Sequence, residues 1–184
     1  MKILVIGLGG VGGYLGAFLK KTDHKITFLC RGKRFFFLKK NGLTLNSQGK
    51  KTHFSNLDVR NEISTNEEYD LIINTVKLYD FDSILNQIIK KVKNNFILLP
   101  FQNGIYSEEK IKNLLGIKKT YGAVAQISSV INSKNEIDHK GKLATFFVGP
   151  YNRLKDDKLI KFCLDCQNVG LDIRYSENIE QKII

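Results

Sequence analysis

Apolar and polar positions change rhythm several times along the chain, and each change marks an element. Lys2 to Ile6 is a short, almost continuous apolar run, which reads as a buried strand, and it opens at once into a cluster of glycines at 7, 9, 10, 12 and 13. Val11, Leu15, Phe18 and Leu19 then recur at helical spacing up to about Lys21, and Thr22-Asp23-His24 forms a turn before a second strand over Lys25 to Cys30. A strand, glycine turn, helix and strand within the first 30 residues is the βαβ pattern, which requires parallel strands. Phe35 to Asn41 reads as a short helix closed by Gly42, and Leu43 to Leu45 with Lys51 to Phe54 as a hairpin around Ser47-Gln48-Gly49.

The alternation continues downstream. Leu71 to Val76 reads as a buried strand; Phe81, Ile84, Leu85, Ile88, Ile89 and Val92 then form a helical stripe, with Asp80 placed to cap it. Phe96 to Leu99 is a further strand ending at Pro100, and Ser107 to Leu115 a further helix. Strands alternating with helices predict an α/β fold, a Rossmann-type doubly wound and mostly parallel sheet. Beyond Thr120 the rhythm changes: Tyr121 to Ile131 and Leu143 to Val148 alternate about a polar turn, predicting an antiparallel addition. Asp156 to Gln167 reads as a helix, Leu171 to Tyr175 as a last strand, and Asn178 onward as the start of another helix, with apolar Ile183-Ile184 at the end.

Composition narrows the class. With 184 residues, 42% hydrophobic and 26% charged, the chain suits one globular domain, and no apolar run reaches the ~18 residues of a membrane span. No signal-peptide core follows Lys2, so the expectation is a cytoplasmic protein without a membrane partner. The net charge of +11 raises nucleic acid as a partner, yet the 24 lysines and five arginines are scattered and no groove-reading motif accompanies them. A solvated lysine surface is the preferred reading, with no nucleic-acid partner. Cys163 and Cys166 form one C-x-x-C without further ligands at metal-binding spacing, and Leu159, Phe162, Cys163, Cys166 and Val169 share a helical face, which predicts buried thiols and no metal.

Gly7-Leu8-Gly9-Gly10-Val11-Gly12 is G-x-G-x-x-G with one extra glycine. Directly after a strand and at the opening of a helix, this spacing is a dinucleotide site: Gly7 for the tight turn, Gly9 for close approach of the pyrophosphate, Gly12 for helix–strand packing. The helix N-terminus adds unpaired N–H groups for the phosphates. At the end of the second strand, where an NAD site carries an acid for the ribose, the sequence has Arg31-Gly32-Lys33-Arg34, and no acid occurs between His24 and Lys40. The arginine fork suits a 2′-phosphate, so NADP(H) is the expected cofactor.

These residues together resemble the ketopantoate reductases (2-dehydropantoate 2-reductases). The resemblance is carried by Met1 to Gly13, Arg31-Gly32, Asn41-Gly42-Leu43, Thr75-Val76-Lys77 and Gln102-Asn103-Gly104, in the family's order and spacing. It implies NADPH-dependent reduction of a small 2-keto acid, ketopantoate, to pantoate on the route to pantothenate and coenzyme A. It further implies that Gly7, Leu8, Gly9, Gly10, Val11 and Gly12 hold the pyrophosphate, Arg31 the 2′-phosphate and Lys77 the cofactor near its ribose. Asn103 would lie between nicotinamide and substrate, and Ser128 would line the cofactor cleft. Read from the residues alone, Lys77 is more readily a surface lysine lying along apolar surface and Asn103 more readily a turn former.

The sequence departs from the family at its end. The family's proton donor is a lysine in a Trp-x-Lys motif early in an interdomain helix, followed by an all-helical domain; this sequence has no tryptophan, and alignment from Asn178-Ile179 places that motif just after Ile184. Lys182 falls about one helical turn too early to replace it and reads as a solvent lysine. The expected organisation is therefore an NADP-binding domain over 1–177 and the start of an interdomain helix over 178–184. On this reading the chain has no catalytic residue of its own, would be inactive alone, and needs a C-terminal helical domain as partner, covalent or separate. The alternatives are another NADP-linked 2-keto acid or amino acid dehydrogenase, or a stand-alone NADP-binding module or gene remnant without catalysis.

Overall fold

The structure, a computed structural model, describes residues 1–183. Two five-stranded sheets organise it. The first is built from β1 (Lys2–Ile6), β2 (Lys25–Leu29), β5 (Asp58–Arg60), β6 (Leu71–Asn74) and β7 (Ile97–Pro100) in the order β5-β2-β1-β6-β7. Every pairing in it is parallel. Strands buried on both faces explain the continuous apolar runs of β1, β6 and β7, since helices cover parallel sheets on both sides. The connecting helices are α1 (Gly10–Leu19), α2 (Gly32–Asn41), α3 (Leu78–Lys91) and α4 (Tyr106–Leu115).

The second sheet carries β3 (Leu43–Ser47), β4 (Lys50–Phe54), β8 (Tyr121–Ile131), β9 (Ile137–Pro150) and β10 (Asp172–Tyr175). β8 and β9 pair antiparallel, as their alternation predicts, with a bulge between Ile127 and Ser128. The β3–β4 hairpin joins β9 through parallel pairing of Leu45 with Ile137 and Asn46 with Asp138, and β10 joins β9 in parallel further along. The antiparallel addition is thus a separate sheet, which packs over α1 and leaves that helix between two sheets. Its all-round burial follows: Leu15, Ala17 and Leu19 are buried, and Gly13 and Gly16 lie so close to Ile137 and Phe28 that a Cβ would overlap them.

Two cores result. One joins α1, both sheets and α5 (Asp157–Gln167), including Phe28, Phe146, Phe162, Cys163 and Cys166. The other lies on the far face of the first sheet, where Phe81, Ile84, Leu85 and Ile88 of α3 pack on Leu4, Ile72 and Leu98. Each side chain so buried contributes ~1.5–3 kcal/mol relative to exposure. Asp156 caps α5 by accepting from the Leu159 N–H at 3.0 Å. Asp80, in contrast, does not cap α3: the N-cap is Lys77, and Asp80 sits in the first turn with its carboxylate directed elsewhere. A last short helix, α6 (Glu180–Ile183), begins where the sequence places one; Ile184 lies outside the described residues. Lys182 is exposed, its Nζ 5.0 Å from the centroid of the Phe147 ring.

Candidate functional site: a cleft at the carboxyl ends of the parallel strands

The site begins at the glycine turn after β1. Gly7 has φ of +88°, a conformation open to glycine and strained for other residues, and its N–H donates to the Leu29 carbonyl at 2.9 Å. A Cβ on Gly12 would stand 1.9 Å from the Gly7 carbonyl oxygen and 2.3 Å from Thr75 Oγ1, so a bare backbone here is what lets α1 close against the turn. Thr75 fastens the same point by donating from Oγ1 to the Gly7 carbonyl at 2.6 Å. Gly9 is different in kind: a Cβ there would meet no protein atom within 4 Å. It caps α1 without any side-chain bond, and the first turn of that helix carries no acid. The leading N–H groups of a helix have no intrahelical acceptor and bear partial positive charge. A donor-lined turn, free of carboxylates and facing open space at Gly9, could hold a pyrophosphate.

That open space is a cavity of about 400 Å³. Gly7, Leu8 and Gly9 form its floor, Arg31 and Arg34 one wall, and Thr75, Val76, Lys77, Tyr79 and Asp80 the other, with Ile131 of β8 at the rim. Because β2 and β6 flank β1, the wall residues come from the carboxyl ends of neighbouring strands, where open parallel sheets bind ligands. Of the residues assigned from sequence, Gly7, Leu8, Gly9, Arg31 and Lys77 line this cavity, and Gly10, Val11 and Gly12 form the helix start behind it.

Asn103 and Ser128 lie outside that lining. Asn103 is exposed on the loop after β7, which its neighbour Gln102 ties to the Lys77 loop: Gln102 Nε2 donates to the carbonyls of Asn74 at 3.1 Å and Val76 at 2.9 Å. Ser128 is exposed beside the β8 bulge, and it is Ser129 whose carbonyl crowds Gly10, within 2.1 Å of where a Cβ would stand.

Three further residues carry the site without a clear signal in the sequence. Arg34, one turn beyond Arg31, donates from Nε to the Leu8 carbonyl at 3.0 Å and from Nη1 to Asn135 at 2.7 Å, pinning the glycine turn to the β8–β9 turn. Burial pulls its guanidinium below the usual range, and Nη2 is buried with no partner. Cys30 lies against the same wall as a thiol that burial pushes up to about 11, so it is protonated and unreactive at neutral pH. Asp80 Oδ1 stands 3.2 Å from Arg31 Nη2. Proximity in space, not in sequence, brings this acid against Arg31 in the cleft.

The parallel order β5-β2-β1-β6-β7, the glycine turn and the cleft above it define a Rossmann-type α/β domain. More narrowly, the chain belongs to the ketopantoate reductase family, a family of oxidoreductases: the family model for ketopantoate reductase PanE/ApbA matches residues 3–153. Relatives include the uncharacterized oxidoreductase YkpB of Bacillus subtilis, 29% identical over all of this chain and 60% of that protein. Another is the 2-dehydropantoate 2-reductase of Pyrococcus horikoshii, 28% identical over 97% of this chain and 57% of that protein. Among solved structures, the 2-dehydropantoate 2-reductase of Geobacter metallireducens superposes with a TM-score of 0.87 at 21% identity, over 98% of this chain and 60% of that one. A D-mandelate dehydrogenase solved with NADH and anilino(oxo)acetate shares the fold at a TM-score of 0.83 and 22% identity, over 100% of this chain and 59% of that one. The chain therefore spans about 60% of the length of these proteins. Among the described residues, no helix is long and apolar enough to cross a membrane.

Proposed function

We propose that this chain is the cofactor-binding part of an NADPH-dependent 2-dehydropantoate 2-reductase, converting ketopantoate to pantoate. The observation that carries the reading is the empty, donor-lined approach at Gly9 in a cleft whose ribose end is walled by Arg31. When bound, NADPH supplies the hydride that reduces the keto carbon.

The chain's own residues do the binding and orienting. The N–H groups at the start of α1 receive the pyrophosphate, and the Arg31 fork receives the 2′-phosphate. Lys77 and Asn103 sit on the loops that follow β6 and β7, and Gln102 fixes those two loops to each other. On this reading Asn103 serves the nicotinamide end, where a neutral amide can both donate to and accept from a keto acid. The keto oxygen also requires a proton. The family resemblance assigns that proton to the lysine of a Trp-x-Lys motif in the interdomain helix, a motif these 184 residues do not contain, and assigns the remaining substrate contacts to a C-terminal helical domain.

The test is a comparison of NADPH and NADH affinities by titration calorimetry, repeated on Arg31→Ala. A charge-assisted contact to phosphate is worth ~1.5–3 kcal/mol, so NADPH should bind at least about tenfold more tightly than NADH, and the variant should lose that difference. Equal affinities in the parent protein would remove the basis for NADPH.

A further inference from the structure

Arg31 does not stand free in the cleft. Its Nη2 lies 3.2 Å from Asp80 Oδ1, with the side chains 58% and 34% exposed, and both residues line the cavity. The partners come from different elements, Arg31 from the N-cap of α2 and Asp80 from the first turn of α3. These elements follow β2 and β6, the two neighbours of β1, so the pair spans the mouth of the cleft above the glycine turn. An acid in a first helical turn has an ordinary use, bonding the helix's own leading N–H groups. Asp80 does not serve it: α3 starts without a side-chain cap, and the carboxylate faces the arginine.

We propose that Asp80 is a specificity-determining residue of the cofactor cleft, one that weakens its discrimination between a 2′-phosphate and a 2′-hydroxyl. This rests on the cofactor reading above. A phosphate arriving at Arg31 must share the guanidinium with a carboxylate already ion-paired to it and meets the like charge of that carboxylate at close range. A ribose 2′-hydroxyl carries no charge and can donate to the same carboxylate, as it does to the acid of an NAD site. In the usual NAD pattern that acid ends the second strand; here it comes from α3, on the opposite wall. The cleft thus sets an NAD-type acid against an NADP-type arginine, so its preference for NADPH is smaller than the arginine alone would give.

Asp80→Asn and Asp80→Ala both remove the charge, and dissociation constants for NADPH and NADH are read by nicotinamide fluorescence with folding checked by circular dichroism. The NADPH-over-NADH ratio should rise by about tenfold in both variants, chiefly through tighter NADPH binding, and NADPH binding should become more salt-sensitive. Loss of a merely stabilising first-turn acid would move both affinities together and leave the ratio alone. A ratio within about twofold of the parent in a folded variant overturns the proposal while leaving the cofactor reading intact. Failure of the parent to bind either dinucleotide overturns both.

Discussion

The glycines of the turn divide by what surrounds them. Gly12 is enclosed: a methyl group there must displace the Gly7 carbonyl or Thr75, so Gly12→Ala should lower stability by ~1–3 kcal/mol or more. Gly9 faces open space, and Gly9→Val should melt close to the parent temperature. Thermal unfolding of the two variants separates these roles, and equal losses would mean that Gly9 is merely another packing position. The division is foreseeable from the spacing of G-x-G-x-x-G, because each position of that turn has a fixed geometric task. The duties of Arg34 and Asp80 are not. Arg34 sits in a basic run that reads as part of the cofactor-selecting strand end, yet it bonds carbonyls at positions 8 and 135. Asp80 reads as a cap because caps are local, whereas its partner lies 49 positions earlier in the chain. Side-chain partners set by tertiary proximity leave no mark on local periodicity.

At the scale of elements, strong periodicity was informative and short or polar segments were not. The stripe of α3 and the alternation of β8 and β9 predict those elements closely, although Ile89 falls at the edge of the stripe and is 38% exposed. β5 has only three residues, Asp58–Arg60, too few to establish a period, and exists because β2 offers it a parallel edge. The start of α4 is a further case. Ser107-Glu108-Glu109 reads as a polar first turn, but Glu108 is 1% exposed, and no donor completes a hydrogen bond to either carboxyl oxygen. Burial pushes its carboxyl up to about 8, and the facing N–H groups of Glu108 itself and Ala123 offset this only in part. Below the ordinary glutamate range, both folded and unfolded forms hold the proton and nothing is lost. Between that range and about 8 the unfolded chain releases the proton while the folded one keeps it, so stability falls as pH rises through this window. The loss should be on the order of 5 kcal/mol once Glu108 is ionised in both states. Glu108→Gln should flatten the dependence of melting temperature on pH between mildly acidic and mildly alkaline buffer. An unchanged slope would show that another group controls it.

At the scale of the molecule, the class of fold and the location of the cleft follow from the order of strands and helices, because a βαβ unit fixes parallel pairing and handedness. The separateness of the second sheet does not: alternation says which face of a strand is buried, not which strand pairs with it. α1 is held between the two sheets, which suits the proposed reading in which its N-terminus receives the pyrophosphate. The same whole-chain view bears on turnover. A protein of these 184 residues should bind cofactor yet oxidise NADPH with ketopantoate at no measurable rate, since losing a positioned general acid costs ~10²–10⁴ in rate and losing substrate-orienting groups costs more. Robust turnover would direct mutation first to Lys182. Binding comes before any of this chemistry, and titration of the chain and its Gly9→Val variant with NADPH tests it most directly. The account predicts saturable one-to-one binding by the parent and none by the folded variant; absence of binding by the parent, or equal binding by both, would contradict it.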